Sequence, residues 1–375
     1  MKKLLYFFII LICAASCNIL PQNEHHYASN NKYAERFSIE NIDSCKHIVL
    51  YNPWQGAEGE KLNYILAKTD FILADSLKNY KRINIPVKKV AVFSTTHIGF
   101  IRALGETGGI KGVSGIQYIC DQGLQIQAEQ QNVKEIGFPP DINYELLLKM
   151  KPDLVFLYGL DPTIASIAAR LEKSGIPAIL IAEFLESHPL GKMEWIKVFG
   201  AVYEKESIAD SIYESARIHY EKLTQIAGSR NVKPEVFTGM PWKDTWYMAG
   251  GRSFSAQLIK DAGGNYLWKN DASFEFIPLS LESVLMKAIN ADFWINTGTA
   301  SSLKDIEARD SRFCQLNAFK NGAVFNNDAL ICSTGGNEFW ERGTVEPHII
   351  LEDLIKIFHP GLLDSHSLVY YRKMQ

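Results

Sequence analysis

The sequence predicts an α/β protein of two similar lobes, each a mainly parallel sheet flanked by helices, joined by one long helix. Three observations predict it. A phrase occurs twice, at residues 143–159 and again at 280–298. Each copy sets a Glu (Glu145, Glu282) near the start of a short apolar helix, then an Asp (Asp153, Asp292), then a buried-type strand closing on Gly159 or Gly298. Short apolar strand patterns alternate with helical ones in both halves, which argues for parallel sheets. Between the halves, Ala209, Ile212, Tyr213, Ala216, Tyr220, Leu223 and Ala227 fall on one helical face.

The elements follow in order. Lys2 and Lys3 precede an apolar stretch, residues 4–12, that is too short to span a bilayer. Ala14-Ala15-Ser16-Cys17 then reads as a lipoprotein processing site, with Cys17 lipidated and 1–16 removed as a signal peptide. Ala14 stands where Leu is commoner. Residues 17–44 are polar and Asn-rich and read as a flexible tether.

Residues 45–188 are assigned to the N-terminal lobe. A strand-like opening at 48–51 comes first, and the lobe proper begins at Val87. The strand at 90–93 ends at Ser94-Thr95-Thr96, hydroxyl residues suited to cap a helix. A strand near 110–113, the first repeated phrase, a helix at 163–173 and a strand at 178–182 complete it. Residues 189–228 form the connecting region. A helix from Glu204 to Ala227, stopped at Gly228, reaches roughly 35 Å at about 1.5 Å per residue. Residues 229–375 repeat the order: a strand at 236–238, a helix at 254–260 closing on Ala262-Gly263-Gly264-Asn265, the second phrase, a strand at 323–326, and a last helix from 347 to Pro360.

Composition narrows the function. With 375 residues, two domains are expected. A net charge of −3 offers no basic nucleic-acid surface. Besides Cys17, Cys45, Cys120, Cys314 and Cys332 can pair in three ways or stay reduced. There is no Gly-x-Ser-x-Gly, no His-Glu-x-x-His, no phosphate-binding loop and no dinucleotide glycine pattern, so the chain is not expected to be an enzyme. The nine His are scattered or lie in the tether, so no resident metal or cofactor is expected.

The order of Lys151-Pro152-Asp153-Leu154-Val155, Leu171-Glu172-Lys173-Ser174-Gly175-Ile176-Pro177, Ala262-Gly263-Gly264-Asn265 and Leu351-Glu352-Asp353-Leu354-Ile355 resembles the ABC-importer binding proteins that carry iron–siderophore complexes, haem or vitamin B12. The likeness covers about residues 88–360. It implies an exported, lipid-anchored monomer that passes a small-molecule metal chelate, carrying iron or cobalt, to an ABC permease and its ATPase. By motif position, Glu145 and Glu282 would meet arginines of the permease. Ligand contacts would come from strand-end loops: Thr95, Thr96, His97, Tyr118, Phe138 and Tyr158 in the first lobe, and Trp242, Trp246, Arg252, Phe276, Trp340 and Arg342 in the second. The arginines and His97 lean toward an anionic iron chelate of siderophore type. Vitamin B12 or haem is the alternative, and a periplasmic enzyme on a related fold is the weaker one.

Overall fold

The computed structural model describes residues 31–375. Cys17 and the signal peptide therefore lie outside the described residues. Residues 31–44, expected as the end of a tether, are instead built into the fold. The backbone N–H groups of Lys32, Tyr33 and Ala34 donate to the Glu194 carboxylate at 3.0, 2.9 and 2.9 Å. Those of Glu35 and Arg36 donate to Glu186 at 3.0 and 3.1 Å. Polar composition suggested disorder, but two buried carboxylates supply the acceptors that hold this strap.

The strap runs into a four-stranded sheet: β1 (Phe37–Ile42), β2 (Cys45–Tyr51), β3 (Lys61–Ala67) and β4 (Lys81–Asn84), paired in that order. One face, with Ile48, Leu50, Tyr64 and Leu66, joins the core of the first lobe. The other face, with Ile65 and Ala67, closes over a small cluster with Leu73. Alternation of buried side chains along β3 thus lets one sheet serve two clusters.

The first lobe carries β5 (Val90–Val92), β6 (Ile110–Val113), β7 (Lys134–Glu135), β8 (Leu154–Leu157) and β9 (Ala178–Leu180) in the order β7-β6-β5-β8-β9, all parallel. β5, β8 and β9 are buried at every residue, as strands covered on both faces must be.

The second lobe contains β10 (Glu235–Thr238), β11 (Pro241–Trp242), β12 (Thr245–Ala249), β13 (Asn265–Tyr266), β14 (Phe276–Ser280), β15 (Phe293–Ile295), β16 (Val324–Asn326) and β17 (Arg372–Lys373). Its main sheet runs β13-β10-β15-β16-β17, parallel except for β17. β11, β12 and β14 form a separate antiparallel sheet.

The repeated phrase does the same work in both lobes. Asn143 and Ser280 cap their helices by accepting from Leu146 N–H and Ser283 N–H. Asp153 accepts the N–H groups of Lys88 and Lys89 ahead of β5, each at 2.8 Å. Asp292 accepts the Glu235 N–H at the start of β10, at 2.7 Å. Each Asp ties its own strand to the lobe's first strand.

The long helix is Glu206–Gly228, 23 residues. It begins two residues later than expected because Glu204 adopts φ +54° and closes the preceding helix, Ile196–Tyr203. Its buried face is the expected one: Ala209, Tyr213 and Ala216 enter the first core, while Tyr220, Leu223 and Ala227 enter the second. Ile212 is half-buried.

Glu194 is fully buried and also holds the Lys197 ammonium at 2.6 Å. Glu194→Ala leaves three backbone donors and one cation without their acceptor. We expect a loss of about 3–5 kcal/mol in urea denaturation and new proteolytic cleavage within residues 31–36. Unchanged stability and an uncleaved strap would contradict this role.

Candidate functional site

The strand ends of the first lobe converge beside the connecting region. β5 leads into Ser94, whose hydroxyl caps the helix Thr95–Ala103 by accepting the Thr96 N–H. Thr95 is half-buried at the first helical position. The Thr96 hydroxyl donates to Glu183 Oε1 at 2.6 Å. Glu183 follows β9, is 1% exposed, and its Oε2 has no hydrogen-bond partner. Tyr158 follows β8 and packs edge-on against Phe184, centroids 4.8 Å apart.

Lys192 reaches the same place from the helix Pro189–Glu194. Its ammonium lies 5.4 Å from the Phe254 ring and 5.6 Å from the Trp340 ring, both of the second lobe. No described residue accepts a hydrogen bond from it. The groups are linked electrically. Burial pushes the Glu183 carboxyl up, against the pull of Lys192 and Thr96. Burial pushes the Lys192 ammonium down, against Glu183. The Tyr158 phenol is raised by burial and then by Glu183. The space bounded by Lys192, Phe254 and Trp340 is about 10 Å³, so the Lys192 ammonium can meet a negatively charged ligand group only where the lobes part.

Further aromatic residues lie exposed on loops and edges of both lobes. Gly115, at φ +83°, lets Tyr118 and Phe138 close over it: a Cβ there would lie 2.9 Å from each ring. Glu135 fixes that loop by accepting the N–H groups of Gly115, Ile116 and Gly137. Trp340 is half-exposed. Trp242, 70% exposed, and Phe276 are on the outer face of the small sheet, toward opposite ends. The Arg252 guanidinium stacks on Phe274 at 4.2 Å.

Three expected contacts are corrected. His97 is fully buried among Phe156 and Phe199, because it follows Thr96 on the inward face of its helix. Trp246 is fully buried against Phe237, Trp294 and Phe313, since alternation along β12 turns it inward. Arg342 points away from the strand ends: its Nε donates to Glu346 at 3.1 Å and to the Tyr370 hydroxyl at 3.0 Å. It lines a separate cavity of about 640 Å³ on the side of the long helix, with Ser211, Ser215 and His348. Sequence reasoning missed Glu183, Phe184, Lys192 and Phe254. Glu183 and Phe184 follow a strand and were open to the rule that selected Tyr158. Lys192 sits in a short helix with no motif.

Glu145 is exposed in the first turn of the helix Tyr144–Met150. Glu282 is exposed in the first turn of Leu281–Ala288 and pairs with Arg312 at 3.0 Å. They occupy equivalent places in the two lobes.

A sequence profile of the periplasmic binding proteins matches residues 90–329. The chain belongs to that family. Its fold is that of the molybdate periplasmic binding protein of a Haemophilus influenzae ABC transporter, at a TM-score of 0.60 and 19% identity over 80% of this chain and 94% of the other. A periplasmic haem-binding protein of Pseudomonas aeruginosa gives a TM-score of 0.57 and 14% identity over 77% and 98%. Among curated sequences, an uncharacterised lipoprotein of Methanocaldococcus jannaschii is 25% identical over 94% of this chain and 87% of its own. In this periplasmic binding protein, no helix among the described residues is long and apolar enough to cross a membrane.

The corrected role of His97 has a pH signature. Burial pushes the imidazole down from 6.5 to about 3, against a smaller opposing pull from the Phe156 backbone. The unfolded chain takes up the proton first, so stability present above pH 6.5 is lost as pH falls toward 3. Between pH 6.5 and 4.5, His97→Leu should remove about 1 kcal/mol per pH unit of that loss. Parallel urea-denaturation profiles for the two proteins would contradict a neutral core histidine.

Proposed function

We propose that this chain is the lipid-anchored capture component of an ABC importer and that its cargo is an anionic metal chelate, an iron–siderophore complex. The single observation that carries the cargo class is the Lys192 ammonium, without a hydrogen-bond acceptor and set between Phe254 and Trp340. A carboxylate or catecholate can meet the cation while the rings cover the ligand's apolar edge. Tyr118, Phe138 and Trp340 favour a second cargo, a haem or corrinoid macrocycle, by their half-exposed faces. The chain acts by binding, not by catalysis, and as a monomer. Anchoring through Cys17 is supported by the lipoprotein relative.

Tryptophan-fluorescence titration with ferric siderophores, haem and cobalamin tests the cargo. Ferric siderophores should bind, and Lys192→Ala should weaken them by roughly 10- to 150-fold, the equivalent of about 1.5–3 kcal/mol for a charge-assisted contact. Lys192→Arg should retain most of the affinity. Equal affinity in wild type and Lys192→Ala would contradict the anionic reading.

Delivery is read separately. Glu145 and Glu282 would orient the loaded protein on the permease, since exposed ion pairs contribute only ~0.2–1 kcal/mol each. Glu145→Ala/Glu282→Ala should keep ligand affinity and lose uptake by cells. Weakened ligand binding in that variant would argue against a docking role.

A further inference from the structure

Two of the cysteines are joined across the lobes. Cys120 of the first lobe and Cys332 of the second, 212 positions apart in sequence, form a disulfide with Cα atoms 5.6 Å apart. Its surroundings form a tight junction. A Cβ on Gly336 would lie 2.2 Å from the Tyr118 carbonyl, and one on Gly99 would lie 2.0 Å from that of Glu341. The Thr334 hydroxyl donates to the Ile119 carbonyl at 2.9 Å. The Glu341 carboxylate, fully buried, accepts the N–H groups of Cys120 and Asp121 at 2.8 and 2.9 Å. Arg102 completes the junction, 3.4 Å from Asp121 and 3.1 Å from Glu338.

The bond also lies close in sequence to aromatic residues of the candidate site. Tyr118 lies two residues before Cys120, and Trp340 lies in the loop that follows Cys332. One covalent link therefore fixes the Tyr118 segment of the first lobe against the loop that carries Trp340. We propose that the Cys120–Cys332 disulfide is a redox latch on the cleft. Oxidised, it holds the Trp340 loop against the first lobe. Reduced, it frees that loop and lets the cleft open on this side. That consequence for cargo rests on the strand-end site being the cargo site.

The chemistry needs only a dithiol reductant. Cys332 is half-buried while Cys120 is buried, so an incoming thiolate attacks the Cys332 sulfur. It forms a mixed disulfide there and expels the Cys120 thiolate. The second thiol of the reagent then displaces Cys332, leaving two protein thiols and an oxidised, cyclised reagent. Cys45 is buried and Cys314 half-buried, and both are free thiols outside the junction.

Non-reducing peptide mapping and amide hydrogen exchange of the mature full chain test the latch. Before treatment, Cys120 and Cys332 should be recovered in one linked peptide. Dithiothreitol should speed exchange in segments 116–125 and 330–341 by about tenfold or more, with the β5–β9 sheet unchanged. Cys120→Ser/Cys332→Ser should match the reduced wild type and ignore dithiothreitol. Linkage to Cys45 or Cys314 instead, or exchange unchanged on reduction, would overturn the proposal. A ferric tris-catechol complex added as a probe separates the two readings. Faster release on reduction supports the latch acting on cargo. No binding of the probe, with the exchange effect intact, counts against the cargo class and leaves the latch standing.

Discussion

The structure depends on one buried face of one helix. From Ala209 to Ala216 that face fills the core of the first lobe, and from Tyr220 to Ala227 it fills the core of the second. Both cores draw on it. Burying a side chain such as Leu223 contributes about 1.5–3 kcal/mol, and the same turns that stabilise each lobe also fix their separation. Tyr220 adds a polar pin, its hydroxyl donating to Asp261 at 2.8 Å. The gap between the lobes is thus a consequence of core packing, and a ligand need not hold the two halves together.

Buried carboxylates complete the frame. Glu194 and Glu186 gather the backbone of residues 32–36, and Glu341 gathers that of Cys120 and Asp121. Each accepts several N–H donors, which offsets the cost of burial. Glu183 differs from these three: one oxygen is bonded to the Thr96 hydroxyl and no distant backbone N–H reaches the other. What sets Glu183 apart is its place beside the Lys192 charge at the strand ends, where each group shifts the other's titration.

The plan of the fold was legible because it rests on periodicity and repetition. The helical face from Ala209 to Ala227 and the paired Asp153 and Asp292 are local signals with one structural meaning each. The site was legible only in part. Strand ends were visible, so Thr96, Tyr158 and Trp340 could be named, but inward or outward direction was not. His97 and Trp246 follow helix and strand phase into the core, and Arg342 turns to Glu346 and Tyr370. Residues 31–44 were misread because polar composition does not reveal acceptors 150 or more residues away. Lys192 and Glu183 meet only through the crossing of the connecting region over the strand ends, a tertiary fact with no sequence pattern. The cysteine pairing was open among three connectivities for the same reason.

The central claim is that cargo sits at the strand ends, between Tyr158, Lys192 and Trp340. Anomalous scattering at the iron edge, from crystals grown with a ferric tris-catechol complex, locates the metal directly. The account predicts a single peak in that gap. A peak in the cavity lined by Arg342 and His348, beside the long helix, would contradict it.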